Sequence, residues 1–245
     1  MTSISTREIL YTAADGTELI GYFAAPANAT AISGVLVSPE WWGRNEYTEQ
    51  RARELAEQGY AAFAIDMYGD KKVTTTASQA YEWMMQTFQV PTTIVDRASA
   101  ALKTLAAQPE VNAEKLAAIG FCYGGKVMLD LARSNAPLKA VATFHANLSA
   151  QNAAQKGQFQ AEVLVSHGEI DSMVSLEDVE NFKKEMNDAD VKHTVLILKN
   201  AKHGFSNPQA DEHAQANNVD LGYNADAEKA SLEAMYALLK RQIGA

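Results

Sequence analysis

The 245-residue chain is 47% hydrophobic, 21% charged and 8% aromatic, a balance that excludes a disordered, collagenous or disulfide-stapled protein and predicts one domain over residues 1–245. Its net charge of -9, from 21 Lys and Arg against 30 Asp and Glu, comes without a basic cluster, which excludes nucleic acid and anionic lipid as partners. The N-terminal residues lack an apolar signal core, and no stretch approaches the roughly 18 apolar residues of a membrane span, so a cytoplasmic protein is expected.

In chain order, Glu8 to Tyr11 and Glu18 to Phe23 flank Asp15-Gly16, a dipeptide suited to the positive φ values of a tight hairpin turn. Val35 to Val37 forms the next apolar run. After it, Asn45 is placed to cap a helix carrying Tyr47, Ala52, Leu55 and Ala56, with Gly59 as its left-handed stop. Further runs at Ala62–Ile65, Leu116–Phe121, Ala140–Phe144, Val163–Val165 and Thr194–Leu198 alternate with helical patterns, which predicts parallel strands joined by crossover helices. Leu232, Met235 and Leu239 give a last helix its apolar stripe. The predicted fold is α/β: a mostly parallel central sheet, an N-terminal antiparallel hairpin and helices on both faces.

Ligands of open parallel sheets bind beyond the carboxyl ends of the strands. The residues there are Glu40-Trp41-Trp42-Gly43, Asp66-Met67-Tyr68-Gly69, Cys122-Tyr123-Gly124-Gly125, His145, Asp171 and His203. Gly120-Phe121-Cys122-Tyr123-Gly124 follows a strand and opens a helix, the setting of a nucleophile elbow with cysteine in place of serine. The two glycines are needed because strand and helix nearly touch at so sharp a turn. Cys122, the single cysteine, is thus either a small buried hydrophobe or a reactive thiol. A competing phosphate loop through Gly120, Gly125 and Lys126 fails at Val127, which has no hydroxyl for magnesium.

A thiol with an ordinary pKa of about 8.5 needs a base, and the base needs an orienting acid. Asp171 and His203 follow in the chain order nucleophile, acid, base. Singly, Asp171 reads as a helix cap before Leu176 and Val179, and His203 as a loop histidine. Three matches in order, each at a strand end, favour the catalytic reading. His167 competes for the role of base but precedes Asp171, breaking that order. Glu40, between Pro39 and two tryptophans, is either a partly desolvated carboxylate or a cap for the helix near Asn45. Trp41 and Trp42 read as core or pocket wall. The consecutive Asp211, Glu212 and His213 read as a solvated loop, because chain neighbours seldom point at one metal.

Together these motifs resemble the dienelactone hydrolases (carboxymethylenebutenolidases) of the α/β-hydrolase superfamily, over nearly the whole chain. The resemblance implies an α/β-hydrolase fold, Cys122 as nucleophile, His203 as base, Asp171 as its acid, and Glu40 handling the resting thiol's proton. It also implies an oxyanion hole from the backbone N–H groups of Trp41 and Tyr123, with no cofactor and no metal. In the family, arginines that clamp the substrate carboxylate follow the Asp-x-Tyr motif and lie four residues after the catalytic histidine. Here those positions hold Asp70 and Asn207, which supply no cation. The candidate substrate-binding residues are therefore Trp42, Arg44, Tyr68, Asp70, Lys71 and Asn207, with Lys72 nearby. The activity expected is opening of a small-molecule lactone or carboxylic ester through a cysteine thioester, by a monomer or small homo-oligomer. A thioesterase or general carboxylesterase on the same triad is the nearest alternative, and a non-catalytic binding or thiol-redox protein the most distant.

Overall fold

A computed structural model of the chain describes residues 3–244. The sheet begins with β1 (Ile4–Thr12) and β2 (Glu18–Pro26), antiparallel with Ile9 opposite Gly21. Of the predicted turn pair only Gly16 takes positive φ, at +81°. The connection is longer than a two-residue turn, and Asp15 holds it by its side chain, its carboxylate accepting the Thr17 N–H at 2.9 Å.

β3 (Ile32–Ser38), β4 (Ala61–Ala64), β5 (Val111–Phe121), β6 (Ala140–Phe144), β7 (Glu162–Gly168) and β8 (His193–Leu198) complete an eight-stranded sheet. Its order is β1-β2-β4-β3-β5-β6-β7-β8. β4 is antiparallel to β2, and every pairing from β4 to β8 is parallel. The apolar runs expected from sequence all mark strands. β5 starts early, at Val111, where it meets Ile32 before a register shift between Ser33 and Gly34.

Both faces of the sheet are covered, as its near-continuous apolar strands require. On one face, α1 (Glu46–Glu57) and α7 (Ala225–Ile243) pack Leu55, Met235 and Leu239 against Val35, Val37 and Ile119. On the other, α3 (Thr93–Ala106), α4 (Tyr123–Arg133) and α5 (Leu176–Asp188) pack Leu105, Met128 and Phe182 against Leu36, Leu116 and Val165. The Asn45 side chain accepts the Thr48 N–H at the start of α1, and Gly59 beyond its end has φ +97°. Ser175, rather than Asp171, caps α5, in a reciprocal box with Asp178.

Two helices lie outside these layers. α2 (Ala77–Phe88) buries only Ala80 and Thr87. Its start is tied to the end of α6 (Ala210–Asn217), where Asn217 accepts the Ala77 N–H at 2.7 Å and donates to Thr75 O at 2.9 Å. The expectation that Asp211, Glu212 and His213 form a solvated loop is corrected by α6: all three are helical and His213 is buried. The parallel strands point their carboxyl ends one way. The chain leaves β3 toward β4 on one side and later takes up β5 on the other, which opens a crevice at the end of β3. Among the described residues, no helix is long and apolar enough to cross a membrane.

Candidate active site

Cys122 joins β5 to α4 with φ 52° and ψ -117°, a left-handed conformation that costs a non-glycine residue roughly 1–3 kcal/mol. Its N–H donates to Phe144 O at 3.0 Å, which ties the turn to β6. A side chain at Gly120 would collide with the Gly124 carbonyl, and one at Gly124 with the carbonyls of Ser38 and Pro39. Strand and helix are therefore pressed together around the cysteine, and its half-buried thiol faces a cavity of about 420 Å³.

His203 and Glu40 line the same cavity. The Nδ1 of His203 lies 2.8 Å from Asp171 Oδ2, while Asp171 Oδ1 accepts the N–H groups of Met173 and Val174 at 2.8 and 3.0 Å. Burial opposes ionisation of Asp171, but these bonds outweigh it and hold the carboxyl below its ordinary range. Burial likewise opposes a charged His203. The neighbouring Cys122 sulfur and the bond to Asp171 overcome it and raise the imidazole to about 10. Its Nε2 is buried without a hydrogen-bond partner among the described residues.

The Glu40 side chain is buried beyond β3, where loss of water pushes its carboxyl up to about 7 against the opposing influence of Asn207, His203 and Arg51. Asn207 Nδ2 donates to Glu40 Oε2 at 2.7 Å. Asn207 therefore does not line the cavity as a substrate contact; it stands behind Glu40 and holds it. Glu40 does not cap α1 either, since Asn45 does.

Tyr123 is the first residue of α4, so its N–H has no partner within the helix. No hydrogen bond among the described residues takes up the Trp41 N–H. Tyr68 was a candidate substrate contact, but it is buried behind this pair. Its hydroxyl donates to Trp41 O at 3.0 Å, and its ring stacks on that of Tyr123 with centroids 6.0 Å apart. Trp42 does reach the cavity wall, and its ring stacks on His213 at 4.5 Å.

The remaining candidates lie elsewhere. Arg44 is buried with its guanidinium bound to Glu8 at 2.8 Å and to Glu49. Lys71 is exposed and donates to Glu8 at 3.2 Å, and Lys72 is exposed too. Asp70 sits on a turn organised by Asp66, whose carboxylate accepts the N–H groups of Tyr68, Gly69 and Lys71 at 3.0, 2.9 and 3.0 Å. That turn leaves Asp70 exposed and away from the cavity. His167 is buried with both ring nitrogens unbonded among the described residues, and Asp171 bonds His203 instead. Lys126 cradles no phosphate, because its ammonium bonds Asp130 at 3.0 Å and Ser149 O at 2.7 Å.

Two features were not read from the sequence. α2 supplies Tyr81, Met84 and Phe88 to the cavity; the signal was a helix too rich in large side chains for its few buried positions. His145, noted only as a strand-end residue, is fully buried with φ 40°. Its ring meets that of His203 edge-on at 5.2 Å, and its Nε2 bonds Ser206 Oγ at 2.9 Å. Burial and then the nearby His203 charge keep it neutral.

The sequence profile of the dienelactone hydrolase family matches residues 19–243. A dienelactone hydrolase-like promiscuous phosphotriesterase from metagenomic libraries is 38% identical, with a TM-score of 0.93 over 99% of this chain and 100% of its own. A Yersinia pestis protein assigned as a carboxymethylenebutenolidase is 25% identical over 203 residues, covering 78% of this chain and 75% of its own. The fold alone is shared with an α/β hydrolase from a deep-sea metagenome, at 19% identity and a TM-score of 0.73 over 99% of each chain. With the matched span taking in every strand end around the cavity, the chain belongs to the dienelactone hydrolase family and is a carboxylic ester or lactone hydrolase of α/β-hydrolase fold.

Proposed function

We propose that the chain hydrolyses its ester or lactone through a thioester on Cys122. The observation that carries this reading is the bond from His203 to Asp171 at 2.8 Å, with the unpartnered Nε2 in the cavity that Cys122 faces. The sulfur attacks the carbonyl carbon, and the oxyanion that forms takes hydrogen bonds from the N–H groups of Trp41 and Tyr123. The C–O bond then breaks, and the leaving alkoxide takes a proton from His203 Nε2. In the second half, His203 takes a proton from water, whose oxygen adds to the thioester carbon. The C–S bond breaks and the sulfur leaves as thiolate.

Asp171 orients the imidazole and offsets its charge throughout. Glu40, buried and raised to about 7, exchanges the resting thiol's proton near neutral pH, where a general acid or base is most useful. The same nucleophile serves a thioesterase or general carboxylesterase. A side activity on neutral phosphate triesters is a second reading, supported by the phosphotriesterase at 38% identity.

The test is rapid quenching with a slow aryl ester followed by mass spectrometry of the intact protein and of the Cys122 peptide. An acyl increment on Cys122, absent in Cys122→Ala, is expected. Full turnover by Cys122→Ala overturns the reading.

A further inference from the structure

The cavity around Cys122 is lined by three ionisable side chains besides the thiol and the Tyr81 and Tyr123 phenols: Glu40, Lys126 and His203. Lys126 is the one permanent cation among the described lining residues, and its ammonium is already engaged by Asp130 and by Ser149 O. Its charge is offset on the spot, and two of its three donors are used. Arg44 and Lys71 are engaged by acidic partners and lie outside the lining. A substrate carboxylate entering here would lose its water, meet the buried Glu40 carboxyl and find only cations whose charge is already offset, Lys126 by Asp130 and His203 by Asp171, to replace the solvation it lost.

Apart from the neutral Asn147 amide, the rest of the wall is apolar or aromatic. α2 turns Tyr81, Met84 and Phe88 to the cavity, and Met173 and Val174 approach from the loop after β7. Tyr81 and Met173 remain 55% and 45% exposed, so large apolar side chains border the cavity. α2 buries little else of its own. Such surface gains from being covered by an apolar ligand, and each added methylene is worth roughly three- to fourfold in kcat/KM.

We infer that the substrates are neutral esters or lactones with a bulky apolar group seated against α2, and that Met84 and Phe88 set this preference together with Met173. The inference rests on the Cys122 reading and names the substrate class of that site. Neither Asp70 nor Asn207 reaches the cavity to change this balance.

The test uses matched pairs of esters differing in one charge. On the acyl side, para-nitrophenyl hexanoate is compared with the para-nitrophenyl monoester of adipic acid. On the alcohol side, para-(methoxycarbonyl)phenyl acetate is compared with para-carboxyphenyl acetate. In the wild type, kcat/KM is expected to favour the neutral member of at least one pair by about tenfold or more, and to rise from para-nitrophenyl acetate to hexanoate. Met84→Arg, which places a cation on the wall, should narrow the discriminating pair by about tenfold. Phe88→Ala should lower kcat/KM for the larger neutral ester and leave the acetate within about twofold.

Wild-type kcat/KM that is equal in both pairs, or higher for the anions, overturns the inference. Neutral-ester hydrolysis that persists in Cys122→Ala with the same preference overturns the nucleophile reading alone. The wild-type ratios need no variant to fold.

Discussion

The side-chain amide of Asn207 donates to the Glu40 carboxylate at 2.7 Å, both groups buried beside the cavity. Where the family carries an arginine to hold a substrate carboxylate, this chain carries an amide that holds one of its own acids. An amide donor favours the ionised form of Glu40, yet supplies less stabilisation than a full charge would. Burial therefore still dominates, and the carboxyl stays near 7.

Altering that donor should move the pH profile in a predictable direction. Asn207→Leu removes a bond that favours the anion, so the limb of kcat/KM belonging to Glu40 should shift to higher pH. Asn207→Arg supplies a cation and should shift it to lower pH. Profiles of both variants measured with a neutral ester check the sign. Shifts in the same direction would remove Glu40 from the profile.

Glu40 should also cost the fold stability at neutral pH. Its carboxyl rises from 4.5 to about 7 on folding, so below the lower value it is protonated in both states and exacts no penalty. Between the two values the unfolded chain is ionised while the folded chain holds its proton, and stability falls as pH rises. Above the upper value the loss is complete, at about 3 kcal/mol. Glu40→Gln should raise Tm at about pH 8 and leave it nearly unchanged at about pH 4. Thermal melts across that range decide it.

His203 and Asp171 change with pH in ways that a melt of the Glu40→Gln variant would isolate. The His203 imidazole is raised from 6.5 to about 10, so its stabilising contribution is complete below the lower value and is lost as pH climbs to the upper. Asp171 is lowered from 3.8, so its contribution is present above that value and is lost as pH falls. The variant's stability should therefore decline at both the acid and the alkaline end. A flat profile up to about pH 10 would deny that Cys122 and Asp171 together hold the proton on His203.

If Cys122, His203 and Asp171 act as one unit, their losses will not multiply. Cys122→Ala and His203→Ala should each reduce kcat by roughly a thousandfold or more, and the double variant should be little worse than either. Removing Asp171 should cost less than removing His203, because Asp171 orients the base without moving protons. Cys122→Ser should retain little activity, since its hydroxyl has a far higher pKa than a thiol. Independent, multiplying losses would separate the three residues.

Gly124→Ala should destabilise the protein by about 3 kcal/mol or more, because a side chain there meets backbone carbonyls that cannot swing aside. Gly59→Ala, where an added Cβ meets open space but φ is +97°, should cost only about 1 kcal/mol. Urea denaturation of the two variants compares steric collision with conformational strain alone.

What the amino-acid order determined by itself is what depends on near neighbours. Apolar runs at Val35, Leu116, Ala140 and Val163 mark strands because burial on both faces demands unbroken apolar residues. Asn45 and Gly59 bound α1 through capping and left-handed geometry. The glycines around Cys122 signal a tight elbow because only they fit there. Chain order and strand ends also point to His203, which lines the cavity with Cys122, and to Asp171, which bonds it from behind.

Only the tertiary structure decided where the polar side chains between these landmarks point. Asp70 follows the buried Tyr68 by two positions, but the Asp66 carboxylate gathers three backbone N–H groups of this turn, those of Tyr68, Gly69 and Lys71, and fixes it so that Asp70 is carried outward. Arg44 is drawn away by Glu8, on a strand 36 positions earlier in the chain. Asn207 meets Glu40 across 167 positions, and His213 is buried because Trp42 offers its ring face. The partners of Arg44, Asn207 and His213 lie far from them in the chain, so no local periodicity records them. Their directions follow from burial, since a buried donor, acceptor or charge must find a partner wherever the fold supplies one.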